Sequence, residues 1–437
     1  MQNYYKINNK DLSYFCYYMK WAYLLFIRLY PLIARLISPF NRKAALWVNG
    51  RKNLLEKISR TFAGNQDPVI WMHAASLGEF EQGLPIAEKL KKEYPGHRLL
   101  VTFFSPSGYE NRKNHPIADW VFYLPMDSAG NAKMFIEYTK PEMAVFIKYE
   151  FWYYFLKTLH QHKIPVLLVS GIFRSNQLFF KPFGGFYRSL LKYFRHFFLQ
   201  DQGSANLLIP FISADHISVS GDTRFDRVIS IAAAAQSFSA IEKFANEQPL
   251  IIAGSTWSED DKVLHHFAIS HPKIKWIIAP HHIDKERLEE CLRFYPSSIL
   301  YSSYLSASQE ERNKVNTLII DNIGILSQLY QYATIAFIGG GFTSQGIHNT
   351  IEAAVFGKPV VFGPVYDKYL EAVELIETGG AESVETILML EESFNSLLLN
   401  EEKRNKMGEA AKNLVLSKAG ATQHILRYIQ ENRLLTN

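Results

Sequence analysis

From residue 67 onward, short apolar runs alternate with longer amphipathic stretches. The run at 69–73 predicts a strand. Ser76, Leu77, Gly78 and Glu79 make a turn, and 81–94 repeats at helical spacing. Further strands are predicted at 99–104, 120–123, 143–147 and 165–170, with helices over 131–138 and 151–160. A strand at 197–200, a helix and a strand at 217–220 follow. An Ala-rich helical stretch, 225–247, broken at Gln236 and Ser237, then bridges to a second set. That set predicts strands at 249–253, 275–279 and 317–320, with helices over 260–268, 284–294 and 323–332. Helices over 371–377, 401–417 and 423–432 close the chain. Buried strands alternating with helices mean parallel sheets covered on both faces. The predicted class is α/β, two Rossmann-like doubly wound halves facing a cleft. Ligands of such sheets gather at the carboxyl ends of the strands.

Residues 335–364 condense this pattern. An apolar run, 335–338, leads into Gly339, Gly340 and Gly341, then a polar turn, a predicted helix over 349–356 and a second apolar run at 360–362. Glycines let a ligand approach the backbone closely, and a helix start offers N–H groups to an anion. A phosphate-bearing ligand is expected here; the plain alternative is an ordinary strand-to-helix turn. Gly254, Ser255 and Thr256 sit at another strand end and suit a phosphate or carboxylate in the same way. His281 and His282 follow a third strand end, placed to contact a nucleotide. Asn349 and Glu352 have the spacing of a capping box; the alternative is a hydrogen bond to a ribose hydroxyl. Glu79, just after a strand and where a helix begins, is the carboxylate expected to take a proton from a hydroxyl. Its plain alternative is a complement to the helix dipole.

The N-terminus breaks the pattern. Tyr14, Phe15, Tyr17, Tyr18, Trp21, Tyr23 and Phe26 crowd a stretch that continues to Ile37, interrupted by Lys20, Arg28 and Arg35. At about 100° per residue the three cations fall within about 80° of one another, which argues for a helix lying in a membrane interface. Pro31 is expected to kink it. Lys43, Arg51, Lys52 and Lys57 follow, suited to anionic headgroups. A second basic and aromatic stretch, 171–198, threads Arg174, Lys181 and Arg188 among phenylalanines and tyrosines. It reads as a surface for single-stranded nucleic acid, for an anionic amphiphile or for a membrane, or as a core helix with a cationic face.

Composition narrows the classes. The 437 residues allow two or three domains, and a net charge of +5 does not indicate a general nucleic-acid binder. Cys16 and Cys291 lie too far apart to suggest a disulfide framework or a zinc site, which fits a reducing, cytoplasmic setting. No cleavable signal peptide, Asp-x-Asp pair or Cys/His cluster stands out, so a reaction without metal or cofactor is expected.

Together the motifs resemble the 3-deoxy-D-manno-octulosonic acid (Kdo) transferases, which are similar to two-domain glycosyltransferases of the GT-B fold. The resemblance rests on WMHAASLGEF (71–80), YLPMD (123–127), the Glu150 to Trp152 region, AGSTWSEDD (253–261), APHH (279–282), DNIGIL (321–326) and the glycine segment 339–364. It implies transfer of Kdo from CMP-Kdo to a lipid A precursor at the cytoplasmic face of the inner membrane of Gram-negative bacteria. It places Glu79 as the base, with Ser76, Gly78 and Glu150 on the acceptor side, and the basic and aromatic stretch 171–198 is expected to offer Arg174, Lys181 and Arg188 to the phosphates of such an acceptor. Ser255, Thr256, His281, His282, Gly339, Gly340, Gly341, Asn349 and Glu352 fall on the donor side. The expected organisation is a membrane-associated segment, 1–48, an acceptor domain, 49–225, and a donor domain, 226–437, whose last helix packs back on the acceptor domain. The chain departs from the family at His281, where Arg is usual, at Ile325 for Glu, at Lys148 for an acidic residue, and at Ile347 and Thr350 for Gly and Pro. The rival readings are a GT-B enzyme using a UDP-sugar, such as a lipid A disaccharide synthase or an epimerase, and a non-catalytic membrane-bound nucleotide-binding scaffold.

Overall fold

The computed structural model describes residues 9–435, with side chains from Tyr18 onward. The side chains of Tyr14, Phe15, Cys16 and Tyr17 lie outside the described residues. The chain divides into two compact units. One runs to Arg227 and takes in the chain from Gly420 onward; the other is Val228–Ala419.

The first unit opens with three helices, α1 (Asn9–Ile37), α2 (Arg42–Gly50) and α3 (Leu54–Phe62). Seven strands follow: β1 (Val69–Ala74), β2 (Arg98–Phe103), β3 (Trp120–Tyr123), β4 (Pro141–Ile147), β5 (Val166–Gly171), β6 (His196–Leu199) and β7 (Ile217–Val219). They pair in parallel in the order β3-β2-β1-β4-β5-β6-β7. Alternation along β1 sends Val69 and Trp71 into one apolar cluster and Ile70 and Met72 into another, as a two-faced buried strand requires. α1 adds Tyr23 and Ile27 to the first cluster. The last helix, Ala421–Glu431, adds Ile425, Leu426 and Ile429 to the second. The aromatics of 171–198 resolve as core: Phe173, Phe179, Phe186, Phe194 and Phe197 are buried in the cluster that α1 joins.

The second unit holds β8 (Leu250–Thr256), β9 (Lys275–Pro280), β10 (Ser298–Leu300), β11 (Thr317–Ile319), β12 (Ile335–Ile338), β13 (Val360–Phe362) and β14 (Ala381–Ser383). They too are parallel, in the order β10-β11-β9-β8-β12-β13-β14. The helix expected over 349–356 shrinks to one turn, Ile351–Ala354. The chain ahead of it is tied down as loop. The N–H of Ile347 goes to the Val365 carbonyl at 3.1 Å and that of His348 to the Gly339 carbonyl at 3.1 Å, so neither is free to enter a helix.

α1 runs unbroken through Pro31. Tyr23, Ile27 and Ala34 are buried on one side. Tyr18, Trp21, Leu25, Leu29, Leu32 and Leu36 are exposed and, at about 100° per residue, form a stripe within about 80° on the opposite side. Among the described residues no helix is long and apolar enough to cross a membrane. Lys20 sits over the Tyr153 ring at 5.2 Å, which leaves Arg28 and Arg35 exposed beside the apolar stripe.

Candidate active site

In the first unit, Glu79 lies in the first turn of α4 (Leu77–Glu93). Its Oε2 accepts from the N–H of Ala75 at 2.5 Å and of Ser76 at 3.1 Å, so the carboxylate is fixed over the end of β1. The helix-capping role and the position at the strand end coincide. Burial pushes the Glu79 carboxyl up; the Glu150 charge adds to this, against the Ala75 hydrogen bond, His73 and Lys148. Gly78, next to it, is exposed, and a Cβ there would meet nothing within 4 Å. The fold does not demand that glycine. It keeps the surface before Glu79 bare.

Glu150 is buried and closes a network absent from the sequence reading. Its Oε2 meets His73 Nε2 at 2.9 Å and accepts from Trp152 Nε1 at 2.6 Å. The other ring nitrogen of His73 lies 2.9 Å from Thr102 Oγ1 and 3.1 Å from the Thr102 carbonyl oxygen. His73 is fully buried at the carboxyl end of β1, a position where a polar residue in an apolar strand was the available signal. Lys148, between β4 and Glu150, holds a left-handed φ of 63°; such strain in a non-glycine residue gathers at functional sites.

Two of the proposed acceptor-side cations separate. Arg174 is exposed. Arg188 instead donates to the carbonyls of Phe179 at 2.8 Å and Lys181 at 2.9 Å and lies over the Phe211 ring. In this way it clamps its own loop. Arg51 is likewise withdrawn from the basic surface expected at the N-terminus. It sits among the rings of Trp47, Phe104 and Tyr123 and donates to the carbonyls of Leu124 at 3.0 Å and Phe104 at 2.9 Å. Burial lowers its guanidinium to about 9.

In the second unit the three glycines pack against the chain itself. Gly339, Gly340 and Gly341 are buried. A Cβ on Gly339 would stand 2.4 Å from the Ser255 carbonyl, and one on Gly341 would stand 2.6 Å from Gly363. The backbone that approaches them is the chain's own. The N–H of Gly340 is taken by Asp260 Oδ2 at 2.8 Å, which also accepts from Trp257 N–H at 2.8 Å. Burial raises Asp260 to about 6. Thr256 is fully buried, and its hydroxyl faces Arg287 Nη2 at 3.4 Å.

What remains open at this edge is a stack of rings. Trp257 and His281 lie 4.8 Å apart at 19°, and His281 and His348 lie 4.3 Å apart at 19°. His282 meets Trp257 edge-on at 5.2 Å. Trp257 Nε1 donates to His348 Nε2 at 3.0 Å, which puts the imidazole proton on Nδ1. Burial, then the His281 and His282 charges, lower His348 to about 4, so its ring is neutral. Ser255, beside the stack, holds a left-handed φ of 56°. Asn349 does not cap the following turn. Thr350 holds the N-cap position, and Asn349 Nδ2 donates to Glu352 Oε1 at 2.9 Å. That bond leaves Asn349 Oδ1 buried without a partner, as a group waiting for a ligand donor would be. Among the described residues no three His, Cys, Asp or Glu side chains gather as a metal site.

Residues 52–227 match the model of a family described as 3-deoxy-D-manno-octulosonic-acid transferase (kdotransferase). A 3-deoxy-D-manno-octulosonic acid transferase of Chlamydia trachomatis serovar A is 27% identical over 380 residues, 84% of this chain and 86% of that protein. The transferase of the same name from Aquifex aeolicus is 27% identical over 318 residues, 71% and 80% of the two chains. Among solved structures, the UDP-GlcNAc 2-epimerase of Neisseria meningitidis bound to UDP-GlcNAc superposes with a TM-score of 0.58 at 16% identity. It covers 83% of this chain and 100% of that one. That likeness extends to the fold alone.

Proposed function

We propose that this chain, which belongs to the Kdo transferase family and is a Kdo-transferring glycosyltransferase of lipopolysaccharide biosynthesis, takes Kdo from CMP-Kdo and delivers it to a tetraacyl, lipid IVA-like precursor of lipid A. The observation that carries this reading is the Glu79 carboxylate, oriented by two backbone N–H groups and pushed above its ordinary range by burial, inside the segment that the family model covers. Glu79 takes the proton from an acceptor sugar hydroxyl as that oxygen attacks the anomeric carbon of Kdo. The bond from that carbon to the phosphate oxygen breaks, and CMP leaves with the bonding electrons. Glu150, Ser76 and the bare surface at Gly78 receive the acceptor sugar, and Arg174 and Lys181 meet its phosphates. In the second unit, Ser255, His281, His282, Asn349 and Glu352 hold CMP, with the ring stack as a platform for the base.

The test is a mass spectrum after exhaustive reaction of the purified chain with CMP-Kdo and the tetraacyl precursor in micelles. The expected product is heavier by one or more Kdo units, and the same spectrum counts them. Transfer from a UDP-sugar with none from CMP-Kdo overturns the reading.

The exposed stripe of α1, flanked by Arg28 and Arg35, supports residence on the inner membrane, at its cytoplasmic face. Replacing Leu32 and Leu36 by Glu is expected to abolish co-sedimentation with anionic phospholipid vesicles and to leave CMP-Kdo affinity within about twofold, since each apolar side chain contributes on the order of 2 kcal/mol to burial. Unchanged sedimentation rejects the stripe as the anchor.

A further inference from the structure

A cavity of about 780 Å³ opens in the first unit between α1 and the loop that precedes Arg188. This is the size of a ligand site, which spans roughly 300–1,000 Å³. We infer that it holds one fatty-acyl chain of the acceptor lipid. The inference rests on the lipid acceptor proposed above and names where that acceptor's hydrocarbon goes.

Three features converge on such an occupant. The walls are mostly apolar and aromatic, with Ala22, Tyr23 and Phe26 of α1 facing Phe179 and Tyr187, and no Lys or Arg lines them. They are also braced. Tyr23 packs on Phe186 at 5.6 Å and on Tyr153 at 6.4 Å, and Phe179 on Tyr187 at 5.8 Å. Interiors built of such rings ordinarily close to crystal-like density; this one stays open. An anionic nucleotide finds no countercharge there. The second feature is a polar end. Glu150 and Trp152 line the cavity, and Glu150 bonds to His73 and raises Glu79. The third is exposure: Phe26 and Leu178 line the cavity while remaining 47% and 39% exposed. Phe26 borders the exposed stripe of α1. The cavity is therefore lined both by α1, beside its apolar stripe, and by the carboxylate whose charge acts on the proposed base. A hydrocarbon chain ester- or amide-linked to a sugar fits both at once: methylenes along the rings, the sugar at Glu150.

The test compares kcat/KM for the tetraacyl precursor with that for the same phosphorylated disaccharide chemically deacylated, both at one detergent concentration. The wild type is expected to prefer the acylated acceptor at least about 100-fold, and to lose about fourfold for each methylene removed from the buried chain. Ala22→Trp, at an exposed helix position that tolerates bulk, fills the mouth and is expected to cut the preference at least tenfold. Leu178→Trp, on the facing loop, is expected to do the same by an independent route. Preference unchanged in both variants overturns the inference, as does a wild type that uses both acceptors equally. A chain of bulk phospholipid that co-purifies with the wild type and is lost in Ala22→Trp, with the preference intact, also overturns it. Absence of transfer to either acceptor strikes the lipid-acceptor reading itself, and this inference with it.

Discussion

Glu79→Gln is expected to lower kcat for Kdo transfer about 10²- to 10⁴-fold, the range of a positioned general base, with CMP-Kdo affinity within about twofold. Glu79 does two jobs and Gln can do only one. As an acceptor for the N–H groups of Ala75 and Ser76, a Gln Oε1 substitutes, because Gln serves at this position of a helix start nearly as well as Glu. Fold and donor binding therefore stay. As a proton acceptor Gln fails, and the reaction loses the base. The pH profile supplies a second readout. Burial and the Glu150 charge hold the Glu79 carboxyl above its ordinary range, so the wild-type rate falls as pH drops through that raised value, where the carboxylate becomes protonated. Removing the Glu150 charge with Glu150→Gln takes away one of the raising causes. The acid limb is then expected to move to lower pH. A limb that stays in place would disconnect Glu150 from Glu79, and a fully active Glu79→Gln would remove the proposed base altogether.

Much of this was legible before any coordinates, for a physical reason. Strands buried on both faces are continuous apolar runs, and β1, β4, β8 and β12 all announce themselves that way. The three-residue strands β10 and β14 do not; too short for any periodicity, they depend on pairing with β11 and β13. The position of Glu79 was legible because a strand end, a glycine and a helix start coincide in sequence. The His73, Glu150 and Trp152 network was not, because it joins residues 77 apart along the chain. The glycines that follow β12 are ambiguous for a related reason. A glycine signals close approach, but sequence does not say by what, and here the approaching atoms are Ser255, Gly346 and Gly363. Likewise the spacing of Asn349 and Glu352 does bring the two side chains together, but they bond to each other instead of capping a helix.

Asp261→Ala is expected to destabilise the second unit by about 3–5 kcal/mol, the penalty for removing one partner of a buried ion pair. Asp261 is fully buried. It accepts from Arg287 Nη2 and from the Tyr295 hydroxyl at 3.0 Å, with Cys291 Sγ 3.8 Å away. Burial alone would lower the Arg287 guanidinium; the Asp261 charge outweighs it and holds the group above its ordinary value, while burial pushes the Asp261 carboxyl up against the pull of Arg287. Without the carboxylate, a guanidinium with a side chain only 10% exposed keeps its second carboxylate, Glu290 at 2.8 Å, but loses the closer one. The buried Tyr295 hydroxyl is stranded as well. Truncating both sides, as Asp261→Ala with Arg287→Met, is expected to recover more than half of the loss, because an apolar pair carries no uncompensated charge. Equilibrium urea unfolding reads both values. The same cluster reaches the proposed donor site, since Arg287 also lies 3.4 Å from the Thr256 carbonyl, which accepts the His281 N–H at 3.0 Å. Asp261 thus ties the turn at Ser255 to the ring stack. Its loss is expected to weaken CMP-Kdo binding even at temperatures where the unit remains folded, through position rather than contact. A single variant losing less than about 1 kcal/mol, or a double variant no better than the single, would show that the pair is not the strut this geometry makes it.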